Sequence, residues 1–85
     1  MDFEIKLMTI TEAVIIRING LLKERNMTKQ QLINKSGVPI GTLSSLYKKL
    51  AKSVNLSTLF ALARGFEMSA TEFLSHEIFN DIKVD

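Results

Sequence analysis

The sequence predicts an all-α fold: one compact bundle of five short helices, with termini that could add short β-strands. Three observations predict it. Thr9-x-x-Glu12, Thr28-x-x-Gln31 and Ser69-x-x-Glu72 each have the form of a capping box, in which a hydroxyl and a later Glu or Gln satisfy orphan amides at a helix start. The apolar residues that follow recur at three- and four-residue spacing, the period of a helix with one buried face. The 85 residues include one proline, four glycines and 46% hydrophobic residues, which supports a single packed core and argues against disorder.

Taken in order, "DFEIKLM" alternates Phe3, Ile5 and Leu7 with Glu4 and Lys6, which is strand periodicity. The first helix runs from residue 10 or 11 to Arg25 on a stripe of Val14, Ile18 and Leu21, and Asn26 takes the left-handed stop. The second, Lys29 to Ser36, buries Leu32 and Ile33 and ends at Gly37, with Met27 and Leu32 flanking its start as a hydrophobic staple. Pro39 suits the first turn of the third, where Leu43, Leu46 and Leu50 share one side and Ile40 and Tyr47 form its shoulder. Asn55 caps a fourth helix that ends near Gly65–Phe66, and the fifth is a short turn from about Ala70 to Ser75. "DIKVD" at the C-terminus alternates again; each end reads as a frayed tail or as a strand, and as strands the two ends would pair within one chain or between two. The chain reads as a single domain over 1–85, with a helical core at 9–75 and terminal extensions at 1–8 and 76–85.

Composition removes several functions. There is no cysteine, hence no disulfide framework or thiolate metal site. The single histidine, His76, has no clustered partners for a metal, and no base stands at usable spacing from a nucleophile. Neither an enzyme nor a cofactor is therefore expected. The acidic start of the N-terminus lacks the apolar stretch of a secretory signal, and apolar runs such as "AVII" are far too short for a bilayer. These features point to a cytoplasmic domain without membrane contact.

The charge map is more telling than the net charge of +2. Arg25, Lys29, Lys35, Lys48, Lys49, Lys52 and Arg64 all fall in the stretch 25–66, which contains no Asp or Glu. Opposite charges normally intersperse on a solvated surface, so this segregation marks a middle that faces a polyanion.

"MTKQQLINKSGVPIGTLSSLYKKL" supplies the matching shape. A helix, a tight turn with glycine and a second helix form a helix-turn-helix, whose second helix enters a DNA major groove. At 100° per residue, with the leucines inward, the outer face of the second helix holds Gly41, Ser44, Ser45 and Lys48, flanked by Thr42 and Lys49. Small residues let a helix approach a groove closely, while Lys48, Lys49 and Lys52 supply counterion-releasing charge.

This stretch, followed by "NLSTLFALARGFEMSATEFL", resembles the Cro/C1-type (Xre-like) helix-turn-helix domain of phage repressors and bacterial regulators, over about residues 13–74. The resemblance implies a lambda-repressor-like bundle of five helices that binds double-stranded DNA, usually as a homodimer, to regulate transcription. By position it implies base-facing roles for Ile40, Gly41, Ser44, Ser45 and Lys48, and phosphate contacts for Lys29, Thr42, Lys49 and Lys52. Three positions depart from the family pattern. Pro39 stands for the usual Ser or Thr cap, Ile40 and Gly41 for side chains that make bidentate base contacts, and Glu67 for a helix-ending glycine.

A rival reading is a protein-interaction module on the same fold, taking a toxin, an anti-repressor or another regulator as partner. Ile15, Ile16 and Leu22 are candidates for a dimer or partner surface, because they broaden the apolar stripe of the first helix; they could equally lie under the terminal strands. The acid-free stretch favours DNA, since a protein partner does not require it.

Overall fold

The computed structural model describes residues 8–48 and 53–83. The elements are β1 (Met8–Thr9), α1 (Ile10–Glu24), α2 (Lys29–Ser36), α3 (Ile40–Tyr47), α4 (Leu56–Gly65), α5 (Ala70–Leu74), a 3-10 turn (Glu77–Phe79) and β2 (Ile82–Lys83). The all-α bundle agrees with the sequence reading, as do the helix limits except at α3, which starts after Pro39; Leu50 lies outside the described residues. Each capping box closes: the hydroxyls of Thr9, Thr28 and Ser69 accept from the amides of Glu12, Gln31 and Glu72, all at 3.1 Å. The side chains of those three residues accept in return from the cap amides. At α4 the Asn55 side chain accepts from the Thr58 amide at 2.8 Å.

The helix exits need left-handed backbone, and three residue types supply it. Asn26 (φ 54°) follows α1, Gly37 (φ 76°) follows α2, and Glu67 (φ 59°) follows α4. A glutamate gains nothing from that conformation, which costs an L-residue roughly 1–2 kcal/mol. Glycine would relieve it while loosening the unfolded chain by about 0.4–1 kcal/mol. The Lys35–Glu67 ion pair that would be lost, 3.5 Å long, is exposed at both ends and contributes little. Glu67→Gly is therefore expected to raise stability by about 0.5 kcal/mol, read as a higher urea midpoint at unchanged slope.

The core is one cluster. Val14, Ile18 and Leu21 of α1 meet Leu32 of α2, Leu43 and Leu46 of α3, Leu59 and Leu62 of α4, and the rings of Phe66 and Phe73. Its tightest joint lies between α2 and α4. A methyl group on Gly65 would stand 2.8 Å from Ser36 Cβ, 3.0 Å from Leu32 Cδ1 and 3.2 Å from Ser36 Cα. Only glycine lets these two helices come so close.

The termini close over α1. Met8 pairs with Ile82 and Thr9 with Lys83 in a two-stranded parallel ladder, so the pairing is within one chain. Phe79 of the 3-10 turn joins the core beside Phe73, ring centroids 6.1 Å apart. The alternating residues 3, 5, 7 and 84 lie outside the described residues. Because β1, β2 and the 3-10 turn all pack on α1, this helix buries a wider arc than the other helices alone would cover. Ile15 and Leu22 are consequently core residues, 9% and 8% exposed, and only Ile16 of the three dimer candidates stands out at 45%. This corrects the expectation for Ile15 and Leu22: the breadth of the stripe reflects intramolecular burial.

All three arginines serve the backbone of another segment. Arg17 donates to the carbonyls of Glu72 and Phe73 (3.1 and 2.8 Å) at the end of α5. Arg25 donates to the Phe66 carbonyl just past α4, and Arg64 to the Ser36 carbonyl that ends α2 (3.4 Å). The C-terminal carbonyls of a helix lack internal partners and carry partial negative charge, so a guanidinium satisfies both the hydrogen bonds and the field.

Candidate nucleic-acid interface

The turn between α2 and α3 is built from local chemistry. Gly37 takes the left-handed exit, its amide bonded to the Ile33 carbonyl at 2.9 Å. The buried Ser36 hydroxyl accepts from the Val38 amide at 3.1 Å, and Val38 drops into the core. Pro39 then occupies the N-cap position in extended conformation (φ −60°, ψ 145°), one residue before the helix rather than inside its first turn. Proline has no side-chain acceptor, so α3 begins without a side-chain cap.

On α3, Leu43 and Leu46 point into the core, while Ile40, Gly41, Ser44 and Lys48 are all exposed on one side. Ser45 and Thr42 are half-buried and lie towards α4, bordering a depression of about 250 Å³ with Ser53, Asn55 and Thr58. Of the base-facing candidates, Ser45 thus sits on the flank and the other four on the crest. Lys49 and Lys52 lie outside the described residues.

Lys29 is anchored at the opposite flank. Its ammonium stands 3.8 Å from the centroid of the Tyr47 ring, a cation–π contact between the first residue of α2 and the last of α3. The Tyr47 hydroxyl donates to the Asn19 side-chain oxygen of α1 at 2.6 Å. Burial pushes the Tyr47 phenol up from its usual value, so it stays protonated and keeps that bond across the neutral range. Sequence reasoning assigned Tyr47 to packing alone. The Lys29–Tyr47 contact spans two helices and has no local sequence signal. Gln30 was also missed: with Ile33, Ile40 and Ser44 it lines a notch of about 190 Å³ between α2 and α3. Its place beside Lys29 on the polar side of α2 was the available clue.

The acid-free stretch resolves into two groups of cations. Arg25 and Arg64 are held on carbonyls, and Lys35, at the C-terminal end of α2, reaches Glu67 past α4. Lys29 and Lys48 remain beside the exposed face of α3.

Helix, glycine turn and exposed second helix form a helix-turn-helix, and the family model for the Cro/C1-type HTH DNA-binding domain matches residues 17–77. The chain belongs to this family. The Cro/C1-type domain is also 33% identical, over 64 residues, to the uncharacterized HTH-type transcriptional regulator YozG of Bacillus subtilis (strain 168); the alignment covers 75% of this chain and 76% of that protein. No solved structure matches it significantly. Among the described residues, no helix is long and apolar enough to cross a membrane.

Proposed function

We propose that this Cro/C1-type domain binds duplex DNA with α3 in the major groove and regulates transcription in the cytoplasm, acting as a repressor by occupying promoter DNA. The observation that carries the reading is the exposed face of Ile40, Gly41, Ser44 and Lys48, small except at its two ends and flanked by Lys29. In this reading Lys29, Thr42, Lys49 and Lys52 meet phosphates, while Ile40, Gly41, Ser44, Ser45 and Lys48 face bases.

Direct readout is modest on this face. Ile40 offers a thymine methyl an apolar contact and Ser44 offers a hydroxyl, but no arginine or glutamine of α3 makes a bidentate bond, worth about 1–3 kcal/mol of discrimination. So few readers favour a pair of copies, with their α3 helices about 34 Å apart on successive turns of one DNA face.

The test is titration of duplex DNA at several salt concentrations. If Lys29, Lys49 and Lys52 each neutralise a phosphate, log K against log salt should fall with a slope of about −2.7 per copy. An affinity indifferent to salt would overturn the DNA reading.

A further inference from the structure

Lys29 breaks a local rule. It is the first residue of α2, directly after the Thr28 cap, where open amides and the helix dipole concentrate positive charge. A cation is disfavoured there and a carboxylate favoured. The first turns of α1 and α5 follow the rule with Glu12 and Glu72, while that of α2 carries Lys29 and no acid. What holds the ammonium in place is a ring. Among the described residues Lys29 is the one lysine packed on an aromatic face, 3.8 Å from the centroid of Tyr47.

The ring itself is fixed at both ends. Tyr47 closes α3 and is half-buried against the core cluster, and its hydroxyl donates to Asn19 Oδ1 of α1 at 2.6 Å. The aromatic platform therefore takes its position from two helices, and Lys29 brings α2 to the same flank. There the ammonium rests at the edge of the notch that Ile40 and Ser44 also line, beside the exposed face of α3. A ring face attracts the charge electrostatically and leaves the ammonium donors on its far side open to an oxygen acceptor. A carboxylate in the ring's place would compete with a phosphate for the same charge.

We infer that Tyr47 and Asn19 are positioning residues for a backbone phosphate: Asn19 fixes the ring, and the ring holds Lys29 beside α3 before DNA arrives. The inference rests on the DNA reading above and adds what prepares its α2 contact. A lysine side chain loose in solvent loses rotamer freedom when it is drawn to a phosphate, whereas a preordered one has lost it already on folding. A contact that merely clamped α2 to α3 would need no cation. Methionine packed on the same ring would clamp as well without opposing the helix dipole. In this arrangement Tyr47 and Asn19 act through Lys29 and meet no phosphate themselves.

The experiment is titration of duplex DNA at several salt concentrations with Tyr47→Leu, Tyr47→Phe and Asn19→Ala, each in the wild-type and Lys29→Ala backgrounds. Tyr47→Leu should weaken binding roughly two- to fivefold, the equivalent of an exposed cation–π contact. The salt slope should not change, because the phosphate is still neutralised. Tyr47→Phe keeps the ring face and should restore most of the affinity. Asn19→Ala removes the same hydrogen bond from its other end and should match Tyr47→Phe. With Lys29→Ala already present, none of these variants should change affinity further, which a merely structural role would not produce. In the free protein the ring should shift the Lys29 ε-methylene protons upfield, a shift lost in Tyr47→Leu, and thermal unfolding verifies that every variant folds. Wild-type Lys29 protons at random-coil positions overturn the inference, as does unchanged or tighter binding of Tyr47→Leu, or a loss equal in both backgrounds. These outcomes leave DNA binding intact. A wild type that binds no duplex at all would instead refute the DNA reading, and this inference with it.

Discussion

Gly65→Val is expected to cost about 3 kcal/mol and to lower the melting temperature by roughly 12–24 °C. The first atom of any side chain there would stand 2.8 Å from Ser36 Cβ and 3.2 Å from Ser36 Cα. Leu32 Cδ1 can rotate aside, but a backbone atom moves only if α2 moves. Both Leu32 and Ser36 are almost fully buried, so α2 has no slack on that side. For a chain of this length, total stability is about 4–13 kcal/mol, so the loss is a large share. Gly20 is the internal control: it lies in α1 with nothing within 4 Å of where a methyl group would stand, and alanine there should add about 0.5–1 kcal/mol. Thermal unfolding of both variants checks the contrast. If Gly65→Val melts like the wild type, the α2–α4 joint is looser than its geometry says.

Lys29→Ala combined with Lys49→Ala is expected to weaken DNA binding about 30-fold near 0.15 M salt, equally on all sequences. The figure follows from counterion release. Two phosphate contacts contribute a slope of about 1.8, and the electrostatic part vanishes near 1 M salt, so the loss is about 1.5 decades. The salt slope itself should become shallower by the same 1.8. Lys35→Ala is the matched control, because Lys35 pairs with Glu67 and lies at the other end of α2; its slope should not change. Lys29 also rests on Tyr47, so its removal carries a small stability loss, of about 0.5–1 kcal/mol at an exposed site. Titrations at three or more salt concentrations, with unfolding curves alongside, separate the two effects. Equal slopes for the double variant and the wild type would remove these lysines from the DNA contact.

What was legible in the sequence was local. The capping boxes at Thr9, Thr28 and Ser69, the Asn55 cap and the Asn26 and Gly37 exits each depend on residues a few positions apart, so spacing alone placed the helix limits. The outward set of α3 followed from helical period and the inward leucines. Distant partners were not legible. Arg17, Arg25 and Arg64 reach carbonyls 28 to 56 residues away, and nothing near them in sequence announces it. For the same reason the width of the α1 stripe was ambiguous: whether Ile15 and Leu22 faced a partner or the chain's own C-terminal segment depended on where residues 77–83 returned. Ser45 fell on the flank because the half-buried side of α3 is set by the approach of α4, which period alone does not give.

The use of arginine in this fold has a consequence for covalent chemistry. Acetylation neutralises a lysine amine and leaves a guanidinium untouched. Every arginine here holds a backbone carbonyl, and the cations beside the exposed face of α3 are lysines. An acylating agent would thus discharge the surface that meets a polyanion while the helix ends stay tied. Guanidinium groups tie the helix ends and amines carry the surface charge, so modification can erase the second at the small cost of the Lys29–Tyr47 contact and leave the first in place.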